Sequence, residues 1–579
     1  MLKPLPQDGR TKTPDSEPRM TEAAPSQDRN IFIDVSTIHH MRGHSPVGIS
    51  RVEGELVKAI LELDAKVFQF CRFDRELNTY LPVTRYLAEE LSGGASEHIR
   101  LFSEPKSSAL LPAPHASETG ADGQKATGRW FEGHVDDGWI TLSASFFVAG
   151  ADSISLNLYL PELDSDARKT KLIAVVVDDG EPNVFEAERG VLCGTPKIAV
   201  RSKPGSVVHL ISQYPEPVTD ADPRSLGFVV NAVLADGSPV PGLSRSQDSG
   251  ADIELTEGCF LEDSKVVVAG LPWDTSAVRW LYRRHRDLRI SVDAIIYDIV
   301  PMVMPEYCVA GMTEKFGQFI LDAAHLCDSF YCISDSTKSA VGSFLEEARA
   351  PIPNLRQIRL GETISLSTER RAPGGALSDL KPGKFVLYVS TIEARKNHDL
   401  LFRIWRKMLD EAPDKLLPIV FVGQLGWRTQ NLIESINLCY RLTPEFIRFA
   451  HGVSDGTLGW LYKNSRYTVY PSRYEGWGLP VAESLALGTP CLAADSSSLP
   501  EVSQGLVDLI DPDDFTRWYD AVSSYNTDDG LIERKRKAVR EKFKPFQWDR
   551  CFAEMITNLL GGPAAEALNS GTARPGQPT

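Results

Sequence analysis

The sequence predicts an α/β protein with two parallel-sheet domains and an antiparallel β-module inserted into the first domain. Short apolar strands alternate with amphipathic helices from Asn30 to about residue 100, and again after residue 250. Residues 130–234 instead contain short strand-like runs separated by turn residues, which is typical of an antiparallel β-sandwich. A link of Gly, Ala and Pro, RRAPGGALSDLKPG, divides the second α/β stretch in two.

The length, charge and cysteine content of the chain exclude some classes of protein. A chain of 579 residues is too long for one hydrophobic core, so several domains are expected. The net charge of −16 argues against general nucleic-acid binding, which needs dense Lys and Arg. No apolar run approaches the roughly 20 residues of a membrane-spanning helix. Nine cysteines without a C-x-x-C pair favour a reducing cytosol, so we expect a cytoplasmic protein.

The first α/β unit begins after residues 1–29, which are predicted to be a disordered tail like residues 561–579. IFIDVS is a strand, a loop with Gly43, Pro46 and Gly48 follows, and KVFQFCRF is the next strand. Between the loop and that strand, one helical face is apolar and consists of Val52, Leu56, Val57, Ile60 and Leu61. His39 and His40 are interpreted as ordinary loop histidines rather than as residues facing a cleft.

The domain boundaries follow from these changes of pattern. The N-terminal domain comprises residues 30–100 and 250–375, and the C-terminal domain comprises residues 376–560. The β-module occupies residues 129–240, after a linker at 105–129. Two α/β domains joined by a link favour a ligand in the cleft between them.

The segment PSRYEGWGLPVAESLALGTP, residues 471–490, predicts a strand, a tight turn and a helix. Pro480 suits the first helical position, and Gly488 with Pro490 ends the helix. The helix start would then direct free N–H groups and a positive dipole into the crevice, as a diphosphate site requires. Gly476 and Gly478 would let the backbone approach the ligand closely.

Charged residues lie on both sides of this crevice. Glu475 and Glu483 are placed so that both can line one ligand. Taken alone, Glu483 could simply complement the helix dipole, but the surrounding glycines and proline favour the ligand. Arg395 and Lys396 follow the strand KFVLYVS at its carboxyl end, where ligands of α/β sheets bind. A solvated charged loop is the alternative for these two cations.

EGWGLPVAE resembles the glutamate-pair signature of family 4 retaining glycosyltransferases, which have the GT-B fold of two Rossmann-like domains facing a cleft. Further segments are similar to that family in the same order: GISRVEGEL, IIYDIVPMVMPE, YCISDSTKSAV, VSTIEARKNHDLL, FVGQLGW, GVSDGTLGWLY and SSSLPEV. The resemblance covers about residues 30–72 and 250–555 and leaves out the β-module.

The resemblance implies roles for individual residues. Arg395 and Lys396 would bind the donor diphosphate, Glu483 the ribose and Glu475 the transferred sugar, with Glu475, Arg395 and Lys396 carrying catalysis. Other donor-binding positions would be Gly48, Gly423, Val453, Gly476, Gly478, Leu479, Pro480 and Val481. Tyr297 and Asp298 are weaker candidates for contact with the acceptor or the sugar.

Two positions depart from the family pattern. Many relatives have an arginine directly after the strand, where this chain has Ser390 or Thr391. Many also have His before the Asp of the YDIVP segment, where this chain has Tyr297. A phenol can form a hydrogen bond but does not titrate near neutral pH.

The expected reaction is transfer of a sugar from a GDP- or UDP-linked donor to a glycan or lipid-linked saccharide acceptor in surface polysaccharide synthesis. The TIEARKN segment resembles mannosyltransferases, so mannose is the sugar to test first. No metal is expected, because the D-x-D triplet Asp164–Asp166 is interpreted as a polar turn. Peripheral membrane contact at the inner face follows from the acceptor type alone, since no strongly basic amphipathic helix is evident.

Two other functions stay open. A GT-B nucleotide-sugar epimerase would share the cleft and release a changed nucleotide sugar without an acceptor. A non-catalytic glycan-binding protein would use the β-module, where Trp130, Phe131 and Trp139 could stack on sugar rings or fill the module's core.

Overall fold

The computed structural model describes most of the chain from Asn30 to Leu560. The described ranges are 30–41, 48–63, 67–75, 78–83, 85–92, 111–112, 127–134, 139–160, 170–178, 183–189, 192–200, 206–212, 226–235, 238–240, 243, 259–260, 262–270, 272–274, 276–363, 373–426 and 429–560. The predicted tails, 1–29 and 561–579, lie outside these residues.

The first α/β unit contains β1 (Ile31–Asp34), α1 (Ser36–His40), α2 (Ile49–Glu62), β2 (Phe68–Asp74), β3 (Thr79–Val83) and α3 (Arg85–Leu91). Val52, Leu56, Val57 and Ile60 are at most 1% exposed, which confirms the predicted apolar face of α2. His39 and His40 lie in the short helix α1, so their placement in a loop was wrong.

The inserted module contains β4 (Leu111–Pro112), β5 (Thr127–His134), β6 (Trp139–Ala149), β7 (Ser153–Tyr159), β8 (Thr170–Val177), β9 (Asn183–Glu188), β10 (Leu192–Gly194), β11 (Ile198–Ala199), β12 (Ser206–Ser212), β13 (Leu226–Ala235) and β14 (Ser238–Pro239). These described strands pair with one another in antiparallel orientation. Alternate residues such as Leu156, Leu158, Val208 and Leu210 form a separate hydrophobic core. The antiparallel module is therefore present, although β4 falls within the predicted linker. The two-layer packing of a sandwich stays a prediction.

The second part of the N-terminal domain contains β15 (Lys265–Val268), α4 (Ala277–Leu288), β16 (Ser291–Ile296), α5 (Val300–Val303), α6 (Met312–Leu326), β17 (Ser329–Cys332), α7 (Asp335–Glu347) and β18 (Asn354–Gln357). Its sheet has the order β18-β17-β16-β15-β1-β2-β3, in which β3 alone among these strands is antiparallel to its neighbour. The module is thus inserted between β3 and β15 of one sheet.

The C-terminal domain contains β19 (Val386–Val389), α8 (His398–Glu411), β20 (Ile419–Val422), α9 (Gln430–Leu438), β21 (Ile447–Ala450), α10 (Asp455–Asn464), β22 (Tyr467–Tyr470), α11 (Leu479–Ala486), β23 (Cys491–Ala494), α12 (Leu499–Ser503), β24 (Asp508–Ile510), α13 (Phe515–Thr527), α14 (Asp529–Lys542), α15 (Trp548–Cys551) and α16 (Ala553–Leu560). The strands are parallel in the order β21-β20-β19-β22-β23-β24. This order is that of a Rossmann fold, with the switch point between β19 and β22.

The segment that contains α15, near the end of the predicted C-terminal domain, packs against the N-terminal domain. Trp548 Nε1 donates to the carbonyl of Thr363 at 3.0 Å, and Phe546 N donates to Glu362 at 2.9 Å. A Cβ on Gly361 would lie 2.3 Å from the Trp548 ring, so the indole packs directly on that backbone. The segment therefore joins the domains a second time.

The predicted fold class of two α/β domains with parallel sheets is confirmed. Large side chains are buried in the core of the C-terminal domain, among them Tyr388 and Phe421 on the sheet and Trp405 on α8. In the described part of the chain, no helix combines the length and apolar character needed to cross a bilayer.

Candidate active site

The candidate site lies at the switch point of the C-terminal sheet. A short turn, Ala394–Lys396, follows β19, and the loop with Glu475 follows β22. The two strands are neighbours, so their carboxyl ends deliver both segments to one crevice. The topology therefore brings together residues that are about 80 positions apart in the sequence.

Three charged side chains meet in this crevice. Lys396 Nζ donates to both oxygens of Glu475, at 2.6 and 2.8 Å. Arg395 Nη1 lies 3.4 Å from Glu475 Oε2, and Arg395 Nη2 lies 2.6 Å from Glu393 Oε1. The Lys396 ammonium also lies 5.6 Å from the centre of the Tyr470 ring. The predicted cations and the predicted acid are thus in direct contact.

The environment of Glu475 keeps its carboxylate charged. Burial alone would raise its pKa, but Lys396 and Arg395 outweigh this effect, so the pKa lies below its ordinary value. Glu475 as a whole residue is 6% exposed, and its carboxylate remains an acceptor across the neutral range.

The backbone around Lys396 is fixed from two sides. Tyr388 OH donates to the carbonyl of Lys396 at 2.6 Å. Asn397 adopts a left-handed conformation, with φ of 62°, and its amide donates to the carbonyls of Pro471 and Pro512. The turn is therefore anchored to the segment that follows β22.

Serines hold the loop that carries Glu475. The backbone N–H of Glu475 donates to Ser497 Oγ at 2.7 Å. Ser498 Oγ donates to the carbonyls of Glu475 and Trp477, at 3.0 and 2.7 Å. The SSSLPEV segment thus has a structural role beside the site, since its serines fix the loop that carries Glu475.

Two glycines of this loop are needed for contacts within the protein. A Cβ on Gly476 would lie 2.1 Å from the carbonyl oxygen of Tyr297, in the other domain. Gly478 has φ of 108°, and a Cβ there would lie 2.7 Å from Leu499. Close packing of the chain accounts for both glycines, whereas the sequence had suggested close approach of a ligand. Their predicted donor contacts stay predictions.

The helix start differs in detail from its prediction. Helix α11 begins at Leu479, so Pro480 is its second residue. The N–H of Val481 donates to the carbonyl of Gly478 at 3.0 Å, and Pro480 has no N–H. The Val481 side chain is buried. The first turn of α11 therefore presents fewer free backbone N–H groups to the crevice than predicted. The side chains of Arg395 and Lys396 then provide more of the positive charge in the crevice.

Glu483 also contacts both domains. Its Oε1 accepts from Arg51 Nη1 at 2.7 Å, and its Oε2 accepts from Tyr462 OH at 2.9 Å. Burial raises the pKa of Glu483, against the opposing charge of Arg51 and the hydrogen bond from Tyr462. Both carboxylate oxygens of Glu483 thus accept hydrogen bonds from specific side chains. Its role therefore goes beyond complementing the dipole at the helix start.

The N-terminal domain contributes Asp298 and the backbone of Tyr297. The Asp298 carboxylate accepts from the N–H of Val300 at 3.0 Å; burial raises its pKa, while the charges of Arg395 and Lys396 lower it. The Tyr297 phenol is buried and donates to the carbonyl of Ala269, away from Gly476. Contact of Tyr297 with a sugar stays a prediction. Its hydroxyl already donates a hydrogen bond within its own domain.

The remaining predicted positions lie around the crevice. Gly48 is left-handed, with φ of 53°, and a Cβ there would meet nothing within 4 Å. A Cβ on Gly423 would lie 1.9 Å from the carbonyl oxygen of Ser390. Val453 is partly buried beside α10. Ser390, one of the two positions where many relatives have an arginine, lies with its Oγ 3.4 Å from His398 Nε2.

Some candidates cannot be placed. The triplet Asp164–Asp166 lies outside the described residues, and so do the side chains of Trp130, Phe131 and Trp139. Within the described residues, no three acidic, His or Cys side chains are grouped as metal ligands.

Sequence reasoning missed several site residues. Arg51, Tyr462 and Thr337 each lie within a segment that resembles the family, but none was assigned a role. Thr337 Oγ1 donates to the carbonyl of Gly476 at 3.3 Å. Their position in those segments was the one sequence signal that could have identified these three residues. Their hydrogen-bond partners are distant in the sequence, so the sequence alone did not show the contacts.

Sequence comparison supports the interpretation of this domain. Residues 378–542 match the model of the family described as Glycosyl transferases group 1. The chain is 32% identical over 177 residues to an O-antigen chain mannosyltransferase B of Escherichia coli, covering 30% of this chain and 44% of that protein. It is 26% identical over 219 residues to a serotype-specific mannosyltransferase WbdA of Escherichia coli, covering 36% of this chain and 26% of that protein. The chain thus spans less than half the length of these curated relatives.

Solved structures with a similar course of the chain include a GtfA/B complex, with a TM-score of 0.44, 12% identity and coverage of 92% of this chain and 99% of that one. A variant of TarM from S. aureus in complex with UDP and other ligands has a TM-score of 0.38 and 15% identity, with coverage of 52% and 56%. The family match covers Arg395, Lys396, Glu475 and Glu483 together. Residues 378–542 are thus similar to the group 1 glycosyltransferase family, and the chain shares a glycosyltransferase domain with these mannosyltransferases.

Proposed function

We propose that this chain is a retaining glycosyltransferase that moves a sugar from a GDP- or UDP-linked donor to a glycan or lipid-linked saccharide acceptor. Mannose is the first sugar to test, since curated relatives are named as mannosyltransferases. Surface polysaccharide synthesis is the proposed setting.

The contact between Lys396, Arg395 and Glu475 carries this proposal. Two cations and an acid lie at the switch point of a Rossmann sheet, facing a second α/β domain. Cations there would stabilise the charge that gathers on a departing nucleoside diphosphate. Glu475 would accept hydrogen bonds from the transferred sugar.

The cations are already paired with carboxylates in this structure, so diphosphate binding would be an exchange of partners. Lys396 would move from Glu475 to a phosphate oxygen, which would free Glu475 for sugar hydroxyls. The bond from the anomeric carbon to the diphosphate oxygen would break as the acceptor oxygen attacks the same face. The acceptor proton would pass to the leaving diphosphate, so the configuration is retained without a covalent enzyme intermediate.

Donor binding and transfer can be tested together. We expect one base class of nucleotide sugar to raise the melting temperature, because a ligand at about 100 times its Kd stabilises the folded state by about 2.7 kcal/mol. When that donor is incubated with an extracted saccharide acceptor, the product should keep the anomeric configuration of the donor sugar. Mass spectrometry would detect the product, and NMR would give its configuration. EDTA in the assay should leave the rate unchanged, since the proposed reaction uses no metal.

The same assay separates the alternatives. A changed nucleotide sugar formed from donor alone would indicate an epimerase. Glycan binding by the protein without turnover or hydrolysis of any donor would indicate a binding protein. Loss of transfer in EDTA would contradict the metal-independent mechanism.

We also propose contact with an anionic membrane surface through α4. The sequence analysis named no strongly basic amphipathic helix, but α4 has a basic outer face. Helix α4, AVRWLYRRHRDL, buries Val278, Trp280 and Leu281 and exposes Arg283 and Arg286. Its basic face contrasts with the net charge of −16 of the whole chain.

Vesicle sedimentation tests this contact. We expect binding to vesicles containing phosphatidylglycerol that weakens with salt, since each basic residue near such a surface contributes about 1 kcal/mol. The double variant Arg283→Glu with Arg286→Glu should bind at least about tenfold more weakly. Arg534→Glu, an exposed arginine on α14, is the control and should bind as the parent does. Equal binding by the double variant would contradict the assignment of α4.

A further inference from the structure

We propose that Arg51 is a positioning residue that orients the Glu483 carboxylate toward the ribose of the donor. The inference rests on the proposed function, because the ribose is the partner expected for Glu483. Arg51 belongs to the first turn of α2, directly after the loop that ends at Gly48. A residue of the N-terminal domain would thereby form part of the donor site of the C-terminal domain.

The guanidinium of Arg51 is fixed on three sides. Nη1 donates to Glu483 Oε1 at 2.7 Å, and Nη2 donates to the carbonyl of Thr363 at 3.0 Å. The guanidinium carbon lies 5.8 Å from the centre of the Trp548 ring. Trp548 Nε1 donates to the same carbonyl of Thr363. The arginine therefore cannot follow Glu483 freely, and its position constrains that of the carboxylate.

The hydrogen bonds of Glu483 leave acceptor sites unused on both carboxylate oxygens. Each oxygen of a carboxylate has two acceptor sites. Arg51 occupies one site on Oε1, and Tyr462 occupies one site on Oε2. One further site remains on each oxygen. Two neighbouring acceptors fit the two adjacent hydroxyls of a ribose.

Electrostatics support the same role. Burial raises the pKa of Glu483, and the nearby Asp455 acts in the same direction. The charge of Arg51 and the hydroxyl of Tyr462 oppose this rise. Without Arg51, the acid would be protonated over more of the pH range, and a protonated acid accepts fewer hydrogen bonds.

Paired nucleotides can isolate the ribose contact. Isothermal calorimetry would compare GDP and UDP with their 2′,3′-dideoxy forms on the full chain. We expect Arg51→Gln to weaken binding of the ribose form about tenfold or more, and to leave the dideoxy form unchanged. The loss should grow as the pH falls, because the acid then protonates. Arg51→Lys should recover part of the affinity, since it keeps the charge but not the two-pronged geometry.

Arg359→Gln is the matched control. Arg359 also pairs with a buried acid, Glu362 at 2.8 Å, and also lies over an aromatic ring, that of Phe546 at 5.2 Å. Among the residues that the structure describes, the side chains that donate to Glu483 are those of Arg51 and Tyr462, so loss of Arg359 should reduce binding of both nucleotide forms equally or not at all.

Each outcome has a separate meaning. Equal weakening of the ribose and dideoxy forms by Arg51→Gln would overturn the inference and assign Arg51 a structural role. Unchanged affinity for both would also overturn it. If the parent protein bound neither GDP nor UDP, the proposed function itself would fail.

Discussion

Replacing Glu475 by Gln is expected to lower kcat/KM for sugar transfer by about 100- to 1,000-fold while leaving the protein folded. The amide keeps the shape of the side chain but loses the charge that pairs with Lys396 at 2.6 Å and Arg395 at 3.4 Å. It also loses one acceptor for the hydroxyls of the transferred sugar. Transfer assays at saturating acceptor, with circular dichroism as the check on folding, would measure the effect.

The variant should also change stability in a pH-dependent way. The pKa of Glu475 is lowered in the folded state, so its ionisation stabilises the fold above the ordinary glutamate pKa. That contribution is lost as the pH falls through the lowered value. Glu475→Gln should therefore be less stable than the parent near neutral pH, and the difference should shrink in acid.

A surface ion pair provides the control. Asp513→Asn removes an ion pair with Arg473 at 2.9 Å, in which the aspartate is largely exposed. Such pairs contribute about 0–1 kcal/mol, so activity and stability should stay close to the parent values. Full transfer activity in Glu475→Gln would remove Glu475 from the catalytic site.

The α/β framework could be predicted because its strands are continuous apolar runs. KFVLYVS and LPIVFVG became β19 and β20, whose residues are almost entirely buried. The three-residue strand β24 was not predicted, since Asp508–Ile510 is too short to show a period. Likewise β4 is a two-residue strand inside a Pro-, Ala- and Ser-rich stretch. Short edge strands depend on their neighbours more than on their own sequence.

The candidate site was predicted in part for a similar reason. Glu475 and Glu483 lie in one segment, and Arg395 and Lys396 follow a clear strand, so local pattern and family resemblance were sufficient. Arg51 and Glu483 are 432 positions apart, and a single sequence carries no information about that pairing. Gly476 illustrates a second limit of local pattern. The sequence suggested that Gly476 lets the backbone approach a ligand, and the structure adds a close contact with a carbonyl of the other domain, which no local pattern could show.

Gly476→Ala should therefore reduce activity as strongly as the loss of a catalytic group. The added Cβ would lie 2.1 Å from Tyr297 O and 3.2 Å from Asp298 Cβ, and the first of these atoms is backbone. The loop or the opposing domain must move, and overpacking of this kind costs about 1–3 kcal/mol. Because Glu475 is the preceding residue, a shift of about 1 Å would also displace the acid, which can cost about 100-fold in rate.

Gly374→Ala separates this steric effect from a general effect of adding a methyl group. Gly374 lies in the link between the domains, its φ is −102°, and a Cβ there would meet nothing within 4 Å. We expect parental melting temperature and kcat/KM for Gly374→Ala, and losses in both for Gly476→Ala. Parental values for both variants would mean that the domains do not approach each other through Gly476 and Tyr297. In that case Thr337 and Arg51 would also lose their contacts with the donor domain, because they cross the same interface.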